Sequence, residues 1–296
     1  MNQIPQLQNS DPQMGLMRAR SEVYRQATAL LVIQFAFTVL LPVVTAAIAL
    51  ATPCIRPFTA PVALLVSLLD VTWLDRLQRS KLKTAAKIAE AFDCEVLGLS
   101  WNNFVAGKRA EPETIVAAEA KWRGGDAKLV DWYPVAVGKA PLHLARIICQ
   151  RTNLWYDAKL RRHYGGWVLV VGFALLLILL VAAAFTGLTV ALLLSTVLPP
   201  AAPVLIWCFR EYLRQRDTAE AQETARGEAE GLWEKAKAGG CSETDCAVQS
   251  REFQNAIYTR RVSSPLMLPG VYKLLRNDME AQMNKGADVL LAEIGL

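Results

Sequence analysis

The stretch PLHLARIICQRTNLWYDAKLRRHYGGWVLVVGFALLLILLVAAAFTGLTVALLLSTVLPPAAPVLIWCF, Pro141 to Phe209, decides how the whole chain is read. Its first third is basic and aromatic, with Arg146, Arg151, Trp155, Tyr156, Lys159, Arg161 and Arg162. From His163 to Phe209 there is then no Asp, Glu, Lys or Arg. A bilayer core of about 30 Å needs roughly 20 apolar residues per helical pass, so this run is long enough for two. A basic helix therefore feeds directly into a membrane hairpin, and a signal sensed on the polar side has a route to the bilayer.

Outside that stretch the composition agrees. Hydrophobic residues make up 53% of the 296 residues and charged residues 20%, with the apolar ones concentrated in two blocks between polar regions. The formal net charge is a mild +5, and the basic residues sit beside the apolar blocks. That placement sets membrane topology and does not suggest DNA or RNA duplex binding. The cysteines Cys54, Cys94, Cys149, Cys208, Cys241 and Cys246 form no C-x-x-C pair. With two histidines in the chain they are expected to be reduced thiols and not metal ligands.

Taken in order, residues 1–27 form an N-terminal cytoplasmic segment whose start, Met1 to Gln13, reads as a loose polar tail. Residues 28–78 hold the first two spans. Thr28 to Leu50 gives about 34 Å of helix, and it is too long for the apolar core of a secretory signal despite small-residue sites near Ala49. Pro53, Pro57 and Pro61 punctuate a connection, and Phe58 to Leu74 is the second span. Residues 79–164 are a central cytoplasmic region. Residues 165–209 hold spans three (Gly166 to Phe185) and four (Leu188 to Phe209), turning at Thr186–Gly187, with Pro199, Pro200 and Pro203 expected to kink or break the last. Residues 210–296 are C-terminal cytoplasmic helices. Lysine and arginine crowd the inner flanks, and only Arg56 lies in an outer connection, which puts both termini in the cytoplasm.

Within the central region, Leu77 to Phe92 has helical spacing, Cys94 to Leu99 reads as a strand or extended segment bending at Gly98, and Glu111-Pro112-Glu113 starts a helix to about Trp122. Further on, Arg210 to Ala238 reads as a polar helix, Ser242-x-x-Asp245 as a capping box, and Pro269 to Ile294 as the last helix.

No motif of enzyme chemistry is present: there is no P-loop, H-E-x-x-H, G-x-S-x-G or G-x-G-x-x-G opening a helix, so no catalytic residue and no cofactor is assigned. Two groups of polar residues remain. Gln34, Thr38 and Thr45 lie within about 40° of one another around the first span, and Ser67 and Asp70 share a side of the second. An ionisable group in a span is costly, which makes Asp70 a pore-lining candidate. The competing reading wets it at the cytoplasmic end or pairs it with Arg76 or Lys81. On the basic helix, Arg146, Arg151, Asn153, Trp155 and Tyr156 are candidates for an anionic, base-bearing ligand, through bidentate guanidinium contacts and stacking. Lys159, Arg161 and Arg162 are explained by lipid headgroups instead.

Four segments carry a family resemblance: FDCEVLGLSWN (Phe92 to Asn102), DWYP (Asp131 to Pro134), ARIICQRTNLWYDAKLRRHY (Ala145 to Tyr164) and YKLLRNDMEAQMNKGADVLLAEI (Tyr272 to Ile294). They resemble the SMODS-associated four-transmembrane effectors. The resemblance implies a bacterial anti-phage effector encoded beside a cyclic-oligonucleotide synthase. Such an effector answers the second messenger by permeabilising the inner membrane. The expected molecule is thus an all-α integral membrane protein with four transmembrane helices. Its cytoplasmic domain is mostly helical and formed by the central loop and C-terminal region. Its expected partners are membrane lipids, a cyclic oligonucleotide ligand and further copies of itself, since four spans per chain leave little room for a wide aqueous path. A constitutive small channel or transporter, and a membrane-anchored scaffold recruiting a protein partner, are the alternatives.

Overall fold

The computed structural model describes residues 2–51, 56–185 and 198–296. Pro53, Cys54, the expected turn at Thr186–Gly187 and the first part of the expected fourth span lie outside the described residues, as do the side chains of Ser67 and of 271–276. Among the described residues every regular element is a helix or helical turn.

A short helix, α1 (Ile4–Leu7), precedes α2 (Asp11–Phe35), which opens with Asp11 and Pro12 behind Ser10. An acid meets the positive end of the helix dipole there, and proline loses no hydrogen bond in a first turn. Through a π-helical turn at Ala36–Leu40 the chain continues into α3 (Leu41–Ala51). Then α4 (Arg56–Leu69) passes through a second π-helical turn, Asp70–Leu74, into α5 (Asp75–Val96). The helix does not stop at Leu74, where the second span was expected to end; the second apolar stretch and the first polar helix form one rod. Pro57 and Pro61, read as punctuation, lie inside α4, the former in its first turn where no N–H is needed.

Short helices α6 (Asn103–Ala106) and α7 (Pro112–Glu119) and single turns at Asp126–Lys128 and Val135–Lys139 follow. The two longest elements come next: α8 (Leu142–Phe185) and α9 (Leu198–Lys237). Of the prolines expected to kink or break the last span, Pro203 is carried inside α9, while Pro199 and Pro200 fall in its opening turn, next to residues outside the described ones. The chain closes with α10 (Glu243–Ser263) and α11 (Val271–Ala292). Ser242 caps α10, the Asp245 N–H donating to Ser242 Oγ at 3.1 Å, but the reciprocal half of the box is replaced by the Ser242 hydroxyl donating to the Asp245 carboxylate at 2.6 Å.

Two expectations fail. The segment Cys94 to Leu99 is not extended: α5 runs through Val96, and Gly98, at φ +61°, turns the chain. Arg146 stabilises that end from α8, donating from Nε to the Leu97 carbonyl at 2.5 Å and from its terminal nitrogen to the Gly98 carbonyl at 2.8 Å. These carbonyls are helix-end acceptors that need a donor. Nor is the N-terminus loose. Ile4 is 1% exposed, and Asn2 Nδ2 donates to the carbonyls of Val137 and Ala140 at 2.7 and 2.9 Å. Burying a side chain such as Ile4 contributes about 1.5–3 kcal/mol, enough to dock a short tail whose polar groups are also satisfied.

α2 packs on α5 and α7, α10 on α5 and α8, α11 on α8, and α8 lies along α9. One core joins these parts, with Met17, Phe92, Leu97, Ile147, Ile148, Trp233 and Leu291 buried together. The central and C-terminal segments thus build a single helical body. Beyond it, large apolar side chains face outward in continuous runs: Val32, Ile33, Phe37, Leu40 and Val44 on the first rod, Leu64, Leu65, Leu68 and Leu69 on the second, and Val170, Val171, Phe173, Leu177 and Ile178 on α8. A water-facing surface does not carry patches of that extent. Among the described residues one helix, Asp11–Thr45, is long and apolar enough to cross a membrane. Where α8 and α9 run side by side, a Cβ built on Gly172 would lie 2.9 Å from the Cβ of Cys208, so the close approach of the two helices requires glycine there.

Candidate functional site

A cavity of about 170 Å³ opens on the helical body. Its walls are the 127–133 loop, with Lys128, Asp131 and Trp132, then α8, with Thr152, Asn153 and Tyr156, and α11, with Glu280, Met283 and Asn284. Helical geometry explains the α8 contribution: Thr152, Asn153 and Tyr156 lie within one turn and on one side.

The loop wall is held by the N-terminal segment. Gln8, fully buried, donates from Nε2 to the Tyr133 carbonyl at 3.1 Å and accepts from the Tyr133 N–H at 2.8 Å. Asn9 grips Asp131 in the same double fashion, at 2.7 and 3.0 Å. Asp131 needs that grip, since its φ of +53° is a left-handed conformation that a non-glycine residue adopts at a cost. Arg20 lies 4.2 Å over the Trp132 ring and fixes it by a cation–π contact. The Tyr133 ring stacks on Phe92, and its hydroxyl donates to Asp93 at 2.7 Å.

That hydroxyl joins a buried polar network beneath the cavity. Asp93 and Glu90 are each 1% exposed. Arg261 meets Asp93 and Arg251 meets Glu90, both at 2.5 Å, while Gln254 donates to both carboxylates at 2.8 and 2.9 Å. Burial pushes the Glu90 carboxyl up, against the pull of Gln254 and Arg251. The Cys94 thiol beside it is pushed up to about 12, mainly by burial, and Cys149 is raised for the same reason, so both remain unreactive thiols.

The five candidates from the basic helix do not form one site. Asn153 and Tyr156 line the cavity, and the Asn153 Nδ2 is buried without a hydrogen-bond partner. Trp155 packs edge-on to Tyr156, with Lys159 over its ring at 5.0 Å. Arg146 is occupied at the end of α5, where burial lowers its pKa. Arg151 faces α9, meeting Glu230 at 2.9 Å through Nε and at 2.7 Å through a terminal nitrogen, in a shallow depression beside Trp233 and Glu293. Neighbouring helix positions diverge by about 100°, so a run of candidates along one helix has to split among its faces. Trp132, Glu280, Met283 and Asn284 were not singled out from sequence. The signal available for them was their membership in the DWYP and Tyr272–Ile294 segments.

The intramembrane candidates behave differently. Gln34 on the first rod lies near Asp70 on the second, which brings together two residues picked separately. Each lies beside a π-helical turn, Ala36–Leu40 for Gln34 and Asp70–Leu74 for Asp70, and such turns disturb the regular backbone ladder. The Oδ1 of Asp70 is buried without a hydrogen-bond partner. Thr38 and Thr45 donate to carbonyls of their own helix, Gln34 at 2.7 Å and Leu41 at 2.9 Å. Lys81, one expected partner of Asp70, donates to Gln26 at 2.9 Å.

Fold and site together define an all-helical protein, among the described residues, with a small polar-aromatic cavity built on a helix that continues into an outward-facing apolar stretch. The chain belongs to the SMODS-associating 4TM effector domain family, matched over residues 2–290. It is similar to a Bacillus cereus (strain VD146) protein named a probable CBASS effector molecule, at 24% identity over 286 residues, covering 93% of this chain and 94% of that protein. No solved structure matches.

Proposed function

We propose that the chain is an anti-phage effector of the bacterial inner membrane: a cyclic oligonucleotide binds the cavity, and the assembled protein then permeabilises the bilayer through four spans per chain, with both termini cytoplasmic. The observation that carries this is the continuity of α8, which bears Thr152, Asn153 and Tyr156 on the cavity wall and runs on unbroken to Phe185. From Tyr156 to Gly166 is about 15 Å along the axis, so a ligand there acts within three turns of the apolar stretch. The first two spans lie in residues 28–78 and the second pair in 165–209. Family membership and the relative's name support the effector role and the link to a cyclic-oligonucleotide synthase.

Size and charge narrow what enters. Sites that enclose a whole drug-sized ligand measure about 300–1,000 Å³, so this cavity receives one base and leaves the rest of the nucleotide outside. Asp131 and Glu280 repel phosphate and accept from base amino groups, whereas Asn153 Nδ2 supplies a donor and Tyr156 and Trp132 supply rings. The exposed Lys128 sits at the rim, where a phosphate would lie. No catalytic step is part of this reading.

The test is titration of the detergent-solubilised protein with a panel of cyclic di- and trinucleotides. One should bind, Asn153→Ala and Tyr156→Ala should each weaken it at least tenfold, and Arg151→Ala should leave it within threefold. Binding of none, or equal binding by the two cavity variants, refutes the site. A second reading, a constitutive small channel, is favoured by the Gln34–Asp70 pair. It requires basal ion flux in vesicles that Asp70→Asn abolishes.

A further inference from the structure

The segment between α10 and α11, Ser264 to Gly270, has no regular structure of its own, and its backbone is held by side chains of the α8–α9 pair. Arg161 of α8, 7% exposed, donates from a terminal nitrogen to the Pro265 carbonyl at 2.9 Å and to Gln215 Oε1 at 2.7 Å, with its Nε on Asp157 at 2.8 Å. Gln215 of α9, fully buried, reaches the Leu266 carbonyl at 3.4 Å. The Leu268 N–H donates to the Tyr164 hydroxyl at 3.1 Å. These bonds seat Met267 and Leu268 against Tyr164, Val168 and Cys208, with Val204 and Trp207 alongside, where both helices lose their charged residues.

The segment is tied at both ends to other parts of the molecule. Past Gly270, whose φ of +122° suits glycine alone, it becomes α11, the helix that supplies Glu280, Met283 and Asn284 to the cavity. Trp207, which packs on the same cluster of Tyr164, Val168 and Cys208 as Met267 and Leu268, lies edge-on to Phe35 at 4.6 Å between ring centres. Phe35 is the last residue before the π-helical turn of the first rod. A continuous set of contacts therefore runs from the cavity through α11, the 264–270 segment and Trp207 to the first apolar helix. Arg161 and Tyr164, which by sequence belonged to the lipid headgroups and the motif, spend their polar atoms on it.

We propose that residues 264–270 are a clasp that holds the α8–α9 pair in its closed arrangement, with Arg161 as its positioning residue, and that ligand in the cavity releases the clasp through α11. This rests on the cavity being the ligand site. Ligand can drive the change only if it binds the released arrangement better, so the clasp sets how much binding energy activation needs. Its attachment through side chains makes it separable: a carbonyl held by a guanidinium can exchange that donor for water, whereas a helix's own ladder cannot be exchanged one bond at a time.

The test uses the full chain in phosphatidylethanolamine–phosphatidylglycerol vesicles loaded with a self-quenched dye, and the same preparations in the cyclic-nucleotide panel. Arg161→Met keeps the aliphatic volume and removes the donors. Tyr164→Phe keeps the ring and removes one acceptor. Dye release without nucleotide should rise at least tenfold for Arg161→Met and by a smaller factor for Tyr164→Phe, with nucleotide affinity unchanged or tighter. Where Arg161→Met does not fold, Tyr164→Phe alone decides. Wild-type release from folded variants overturns the clasp, and so does nucleotide-triggered release that disappears while basal release stays low, since the segment would then transmit and not restrain. Loss of binding in Asn153→Ala beside unchanged release in the clasp variants leaves the cavity reading intact and sinks the clasp alone.

Discussion

Arg261→Met isolates the buried network under the cavity. The Arg261 guanidinium meets Asp93 at 2.5 Å, and Asp93, 1% exposed, also accepts from Tyr133 and Gln254 at 2.7 and 2.8 Å. Methionine fills much of the arginine's apolar volume but leaves the carboxylate buried without that guanidinium. Removing one partner of a buried ion pair costs about 3–5 kcal/mol. For a cooperative unit of 150–250 residues, each kcal/mol moves the melting midpoint by about 2–4 °C, so the expected drop is about 6–20 °C. Detergent-solubilised full chain, heated while tryptophan fluorescence is followed, reports it, because Trp132 and Trp233 both belong to this body. The double variant Arg261→Met/Asp93→Asn removes the charge, keeps an amide oxygen that can accept from Gln254 and turns its NH2 toward the Tyr133 hydroxyl, which can accept; it should regain part of the loss. A drop below about 2 °C in the single variant, or no recovery in the double one, would refute the claim that an unpaired charge is what the arginine prevents.

Two further outcomes are expected. Gly172→Leu forces α8 from α9 where a Cβ would already lie 2.9 Å from Cys208, and overpacking of this kind costs about 1–3 kcal/mol; nucleotide affinity should persist while vesicle leakage changes. The Arg18 guanidinium, bonded to Asp126 at 2.7 Å, holds that carboxyl below its ordinary value. A lowered carboxylate stabilises above its unfolded pKa and loses that contribution as pH falls through the folded one. The melting midpoint should therefore fall between about pH 5 and pH 3 less steeply in Arg18→Gln than in the native chain.

Some of the site was legible and some was not, for reasons that differ by residue. Asn153 and Tyr156 were reachable because they are the polar and aromatic residues of a basic helix. Arg146 and Arg151, chosen on the same ground, turned to α5 and α9, since sequence gives a helix's list of residues but not which neighbour each face meets. The far wall from α11 carries Glu280, Met283 and Asn284, more than a hundred residues away in the chain. Cys94 to Leu99 was read as a strand or extended segment on a short local pattern, and tertiary contacts kept its first half, to Val96, helical. The opening residues looked like tail because Ile4 and Leu7 are the only large apolar side chains between Asn2 and Gln13, too few to show a period, and the buried Gln8 carries no apolar signal at all.

What the amino-acid order determined by itself is everything that depends on composition along the chain. Charge-free runs mark the apolar helices, and the Ser242 cap and the proline-led starts mark helix ends. Only the tertiary structure decided what depends on distance across it: that Tyr133 joins the N-terminus to Asp93, and that Arg161 closes on the Pro265 carbonyl. The physical reason is one of range. Desolvation, charge placement and helix capping act within a few residues of their source, whereas burying an unpaired donor or charge is penalised wherever its partner comes from, and only the packed chain brings that partner within 3 Å.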